Sequence, residues 1–183
     1  YILLTIIILA ASFIQMLRTK KGRYIWDKFI LKVPIFGPII RGVSISRFSN
    51  IFETLNSSGV PILSCLDIVG KTVGNTFIEF RLNRISQDVR IGKKVANSLR
   101  EHTSDIFPPH VLKMIEVGEE AGAIDDMMHE IATLYDNETR NMVQRLTASV
   151  EPIITVTMGI FILSLALAIF VPVWDSYVAL TTN

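Results

Sequence analysis

The densest group of ionisable side chains is Glu116, Glu119, Glu120, Asp125 and Asp126, five carboxylates within eleven positions. Three kinds of chemistry suit them. Carboxylates on two adjoining helices can supply oxygen ligands to Ca²⁺ or Mg²⁺, although no loop of regular ligand spacing surrounds these. They can form a contact surface for a partner protein. They can also be the solvated face of a tight helix–helix corner, in which Gly118 permits close packing and Gly122 closes the first helix in the left-handed conformation. A sixth acid, Glu151, stands beside an uncharged stretch. An acid next to hydrocarbon faces a cavity or pairs with a cation. Arg145 lies six positions back, outside the i, i+4 spacing of a helical pair. A partner from another helix, interfacial solvation or contact with another protein is expected instead.

The remaining reactive residue types are sparse. His102, His110 and His129 fall in no spaced metal motif and are expected at surface or core positions. Cys65 is the single cysteine, so no disulfide within the chain and no cysteine-based metal site can form. It shares an apolar face with Ile62, Leu66 and Val69 and reads as a small core hydrophobe. There is no phosphate-binding Gly-x-x-x-x-Gly-Lys-Ser/Thr loop, no Gly-x-Ser-x-Gly elbow and no His-Glu-x-x-His. The expected protein is a non-enzyme without a cofactor or catalytic metal.

The elements that must position these residues are helical. Phe48, Ile51, Phe52 and Leu55 recur at helix spacing, as do Ile78, Leu82, Ile85 and Val89, and Met127, Ile131, Leu134 and Tyr135. No sustained two-residue alternation competes with them. Ser57-Ser58-Gly59 closes one helix, and Val60-Pro61 starts the next. Val73-Gly74-Asn75-Thr76 is a stop followed by a cap, Phe107-Pro108-Pro109 opens another helix, and Gly122 ends it. Asp125 and Asp126 then sit in a first turn, where the helix dipole favours acids. No breaker follows from Ile124 to Val150. About six helices between Gly22 and Val150, joined by short turns, predict an all-α antiparallel bundle.

The chain has 183 residues, mean hydropathy +0.43 and net charge +1, so no global field points to nucleic acid. All 18 Lys and Arg lie between Arg18 and Arg145. Pro152 to Trp174 is uncharged over 23 residues, enough to cross the roughly 30 Å hydrocarbon core as a helix. Pro152 and Pro172 mark its ends, and Trp174 and Tyr177 suit an interfacial belt. Tyr1 to Leu17 is also uncharged and reads as a second span, truncated at its start because the chain lacks an initiating Met. Leu17 is followed by Arg18, Lys20, Lys21, Arg23 and Lys28, whereas no Lys or Arg follows Trp174. The positive-inside rule then gives a transmembrane helix over 1–17, a cytoplasmic domain over 18–151, a transmembrane helix over 152–174 and an outside tail over 175–183. The basic run from Arg18 to Lys28 reads as a topology determinant, with an anionic-lipid patch as the alternative.

Six segments, in this order and spacing, then become recognisable. They are Pro34-Ile35-Phe36-Gly37-Pro38-Ile39-Ile40-Arg41, Leu55 to Leu63, Gly74-Asn75, Phe107-Pro108-Pro109, Gly118 to Asp125, and Glu151-Pro152. Together they resemble the type II secretion system protein F family of GspF/PilC-like inner-membrane platform proteins. The resemblance covers essentially the whole chain and implies the second of two helical cytoplasmic domains, with its flanking membrane helices. It also implies a homo-oligomer in contact with a cytoplasmic assembly ATPase, with pilin or pseudopilin, and with other inner-membrane platform proteins. Glu116, Glu119, Glu120, Asp125, Asp126 and Glu151 are the expected contact residues. Pro34, Gly37, Pro38, Gly59, Pro61, Gly74, Pro108, Gly118, Gly122 and Pro152 are expected to be structural, and exposed Ile35-Phe36 could seat a neighbour. A membrane-anchored helical sensor is the alternative, although only nine residues follow the last apolar run.

Overall fold

The computed structural model describes the backbone of residues 19–181 and the side chains of Thr19 and of residues 21–171. The apolar run 1–17 lies outside the described residues. Seven helices occur among those described: α1 (Lys20–Ile30), α2 (Phe36–Ser57), α3 (Ile62–Thr72), α4 (Thr76–Arg90), α5 (Val95–Thr103), α6 (Pro109–Ala121) and α7 (Ile124–Thr181). The chain divides into two compact units at Arg140/Asn141, within α7.

The first unit, up to Arg140, is an all-α bundle in which helices adjacent in sequence pack side by side from α2 through α6, and α1 packs on α4. Its centre is aromatic. Phe48 stacks on Phe52 at 6.0 Å between ring centroids and meets Phe107 edge-on at 5.2 Å. Leu66 and Val69 from α3, Ile78, Leu82 and Ile85 from α4, Leu99 from α5 and Ile115 from α6 close around them, all essentially without solvent contact. Of the stripes expected on α2 and α4, Phe48, Phe52, Ile78, Leu82 and Ile85 are buried, and Ile51, Leu55 and Val89 pack partly buried against them. On α7 the buried set is Ile124, Met128, Ile131, Ala132 and Tyr135, while Leu134 is exposed and Met127 half-buried. Ile131 and Tyr135 of the expected stripe are buried there, and Met128 is buried in place of the expected Met127.

Helix ends follow local chemistry in most places. Thr19 accepts from the Gly22 amide at the start of α1, and the Asn75 side chain accepts from Phe77 and Ile78 at the start of α4. Pro61 and Pro108 are the residues immediately before α3 and α6, and Pro109 occupies the first turn of α6, where a missing N–H costs nothing. Pro34 lies in the α1–α2 turn, and Gly37 and Pro38 fall in the first turn of α2. Gly59, Gly74, Gly92 and Gly122 all have positive φ. The helix α5 was not anticipated as a separate element. Its start is set by the Ile91–Lys94 turn, which depends on left-handed Gly92 and on the Gly92 and Lys93 amides folding back to the carbonyls of Val89 and Asp88.

The second unit, from Asn141 onward, is the remainder of α7. Pro152, expected to mark a helix boundary, lies inside the helix. Proline's fixed φ is helical, and the local cost is the hydrogen bond its nitrogen cannot donate to the Ala148 carbonyl. Among the described residues, α7 is the one helix long and apolar enough to cross a membrane. Its most apolar 18-residue window has mean hydropathy 2.6 and is wholly unburied. Thr155, Thr157 and Ser164 donate their hydroxyls to the carbonyls of Glu151, Ile153 and Phe161, so each polar side chain is satisfied by its own helix.

Two expectations follow from this packing. A Cβ placed on Gly118 would stand 2.7 Å from Met127 Cγ and 3.1 Å from the Ile124 backbone. Gly118→Val should therefore destabilise the bundle by about 1–3 kcal/mol through overpacking, read as a drop in thermal midpoint of the detergent-solubilised chain. An unchanged midpoint would refute the close approach of α6 to α7. Burial raises the Cys65 thiol above its ordinary pKa. Iodoacetamide should label Cys65 only at the rate of unfolding, and rapid labelling of the native chain would contradict that environment.

Candidate functional site

The acidic corner is built by α6, the α6–α7 turn and the first turn of α7. Gly122 ends α6 in the left-handed conformation at φ 68°, and the Ala123 amide returns to the Gly118 carbonyl at 2.8 Å. That geometry brings α7 back alongside α6 within three residues, and Gly118 provides the clearance. The carboxylates do not all point outward from this corner. Glu119 reaches across to the start of α5 and accepts from the Val95 and Ala96 amides at 2.8 and 3.0 Å. Those amides have no partner within their own helix and carry the positive end of its dipole, so a carboxylate shared between them is a strong cap.

Glu116 accepts from Arg100 at 2.9 Å and from Lys113 at 3.0 Å. These cations hold its carboxyl below the ordinary glutamate range, Lys113 contributing most. Asp125 accepts from the Asn56 amide at 2.6 Å and ties the start of α7 to the end of α2. Glu120 pairs with Lys94 at 3.1 Å in an exposed bridge, a kind that contributes little to stability. Asp126 is exposed and has no hydrogen bond or ion pair among the described residues. Glu151 is exposed on the second unit and has no ion pair among the described residues. The six acids therefore separate by use. Glu116, Glu119 and Asp125 hold the fold, and Glu120, Asp126 and Glu151 face solvent.

A second cluster, unanticipated from sequence, contains Asp88, Glu101 and His102, whose ligand atoms lie within 4.8 Å of one another. The Lys93 ammonium stands at its centre, 3.1 Å from Asp88 and 3.2 Å from Glu101, and His102 Nε2 meets Asp88 at 2.9 Å. A cation is thus already supplied by the chain, and Lys93 would have to leave before a metal could enter. The other histidines are also engaged. His110 stacks on Tyr135 with 3.2 Å from its Nε2 to the phenol oxygen, and His129 approaches Glu53 at 4.0 Å.

Sequence reasoning also missed Asp27. Its carboxylate accepts from the Thr76 amide at 2.7 Å and from the Thr76 hydroxyl, which caps α4 from α1. The available signal was a lone acid among the basic residues of α1, Lys20, Lys21, Arg23 and Lys28.

Replacing Glu119 with Ala should cost about 1–2 kcal/mol, the usual loss for a helix cap. Glu119→Gln should recover part of that loss, and both can be compared by chemical denaturation. Glu116 titrates with a depressed folded pKa, so its contribution is present above the ordinary carboxylate range and lost as pH falls through the folded value. The thermal midpoint of Glu116→Gln should lie below wild type at pH 7, and the gap should close below about pH 4. A gap independent of pH would assign the effect to packing.

Comparison with known proteins agrees with this architecture. Residues 48–172 match the family described as type II secretion system (T2SS), protein F. The chain is 37% identical over 171 residues to a type IV pilus assembly protein PilC of Myxococcus xanthus, covering 93% of this chain and 40% of that protein. It is 34% identical over 158 residues to a type IV pilus assembly protein PilC of Pseudomonas aeruginosa, covering 86% and 42%. It is 31% identical over 159 residues to a type II secretion system protein F of Aeromonas hydrophila, covering 87% and 40%. The chain thus spans about two fifths of the length of these relatives. With a family match that takes in the bundle from α2 onward and the apolar part of α7, the chain belongs to the type II secretion system protein F family.

Proposed function

We propose that the chain is part of an inner-membrane platform of a type II secretion or type IV pilus assembly machine. In this reading the helical domain lies in the cytoplasm and couples an assembly ATPase to extraction and polymerisation of pilin or pseudopilin subunits. The observation that carries it is the combination of the family match with an apolar α7 window in which no residue is buried. A soluble core helix would bury such a stripe against its own domain; this one is available to lipid or to other membrane helices. The charge asymmetry around the apolar runs supports a cytoplasmic bundle.

A platform needs surface chemistry rather than a reaction centre. Glu120 and Asp126 are acids on the α6–α7 corner that the fold uses least, and they offer a rigid negative edge to a basic partner surface. Glu151 lies in a shallow groove of α7 lined also by Leu146, Val150 and Ile154. Apolar side chains beside one acid suit a subunit held at the membrane boundary.

The test is co-purification of the full-length membrane protein with its assembly ATPase, wild type against Glu120→Lys/Asp126→Lys. Glu119 is left intact, since its loss would unfold the start of α5. Lost association with an unchanged thermal midpoint places the ATPase contact on the acidic corner. Equal association moves the contact elsewhere, and no association in wild type, with every apparatus component present, would reject the platform reading.

A further inference from the structure

The α1 helix carries one acid, Asp27, and that acid is turned inward onto the start of α4. Every other charge on α1, and Lys32 just beyond it, is positive. The same helix exposes its largest apolar side chains. Ile25 is 58%, Trp26 38% and Phe29 61% exposed, and the rings of Trp26 and Phe29 lie 6.3 Å apart. Ile25, Trp26 and Phe29 fall on one side of the helix at i, i+1 and i+4, and Lys21 and Lys28 border that side. An apolar strip edged by lysines is the pattern of a helix lying in a membrane interface, the aliphatic stems in the acyl boundary and the ammonium groups at phosphate level.

Beside this strip is a cleft of about 480 Å³ between α1, α2, α4 and the α5–α6 turn. Lys28, Lys32, Arg41 and Arg81 line it, with Asp105 as the one acid in its wall. Arg81 is fixed by Asp105 at 2.9 Å and by the His102 carbonyl, and its guanidinium lies 4.6 Å from the Phe77 ring centroid. Arg41 is held by the carbonyls of Gly37 and Asp105. The Lys28 ammonium stands 5.6 Å from the same Phe77 ring. Among the described residues neither Lys28 nor Lys32 meets a carboxylate. Four cations around one acid repel one another, and anchored guanidinium groups present donors suited to phosphate oxygens.

We infer that this cleft seats the phosphate headgroup of an anionic phospholipid while α1 lies on the bilayer surface. The chemistry of the cleft alone would accept any phosphate. The neighbouring apolar strip assigns it to a lipid, as does the uncharged run Tyr1–Leu17 that leads into α1. A soluble phosphate ligand would leave Ile25, Trp26 and Phe29 in water. The inference concerns α1 and its cleft, and its test needs neither the ATPase nor pilus assembly, so it can fail independently of the platform reading.

The experiment uses the full chain carrying Trp174→Phe, which leaves Trp26 as the single tryptophan, in nanodiscs of phosphatidylcholine with or without one third phosphatidylglycerol. Trp26 fluorescence should be quenched by brominated acyl chains, more strongly when phosphatidylglycerol is present. Chain purified in mild detergent from the mixed bilayer should retain phosphatidylglycerol several-fold over phosphatidylcholine. Lys28→Gln/Lys32→Gln should abolish that preference without moving the thermal midpoint, because both side chains are exposed. An unquenched Trp26, equal retention of the two lipids, or undiminished preference in the double variant would each overturn the inference. Millimolar inorganic phosphate that displaces the retained lipid at constant ionic strength, and binds the lipid-free chain calorimetrically, would make this a soluble-anion site and also overturn it.

Discussion

Short helices begin with backbone amides that their own hydrogen bonding cannot use, and this bundle satisfies two such sets with acids from other helices. Asp27 of α1 closes the start of α4, and Glu119 of α6 closes the start of α5. A helix of nine residues such as α5 has too little internal hydrogen bonding to persist alone. The carboxylate that α6 delivers stabilises its start. The order of dependence runs from an acid on α6 to a helix whose Leu99 closes the aromatic core.

That order explains what could be read in advance. Most caps and stops that are local are announced by the sequence, the left-handed Gly92 turn being the exception. Asn75 bonds amides two and three residues ahead, Gly122 closes its own helix, and Pro109 sits in its own first turn. The apolar stripes of α2 and α4 are equally local, since they need only helical spacing. The α5 start is invisible by the same logic. Its cap lies 24 residues away from Val95, and nothing about Lys94 or Val95 signals it. The corner acids were legible as a group and illegible as individuals. Spacing places Glu116, Glu119 and Glu120 on one helix turn, and only the packing of α5 against α6 decides which of them turns inward.

The division of labour among charges also bears on where a partner can bind. A carboxylate that caps a helix or joins two cations has already exchanged its water for fixed donors, and a new partner must compete with those donors to gain anything. Glu116 and Glu119 are in that position. Lys93 is in the complementary one, neutralising Asp88 and Glu101, which removes from play the group most suggestive of a metal site. Among the described residues, Asp126 at the α6–α7 corner and Lys28 and Lys32 beside the α1 cleft are charges without a salt bridge. Coulomb attraction to an external group is strongest where the chain has not already answered the charge.

The long helix α7 satisfies its polar side chains in two ways along one backbone. Within the bundle, Asp136 accepts from Ser46 and Asn50 of α2, so the polar face of α7 finds partners on another helix. Between Glu151 and Val171 the polar residues are Thr155, Thr157 and Ser164, small enough to fold back onto carbonyls of their own turn. A longer polar side chain there would need water or a second helix, whereas these hydroxyls need neither. Pro152 stands where one regime gives way to the other and forfeits a single backbone bond, to Ala148. An unpaired carbonyl costs least where water can reach it and most inside an apolar stretch.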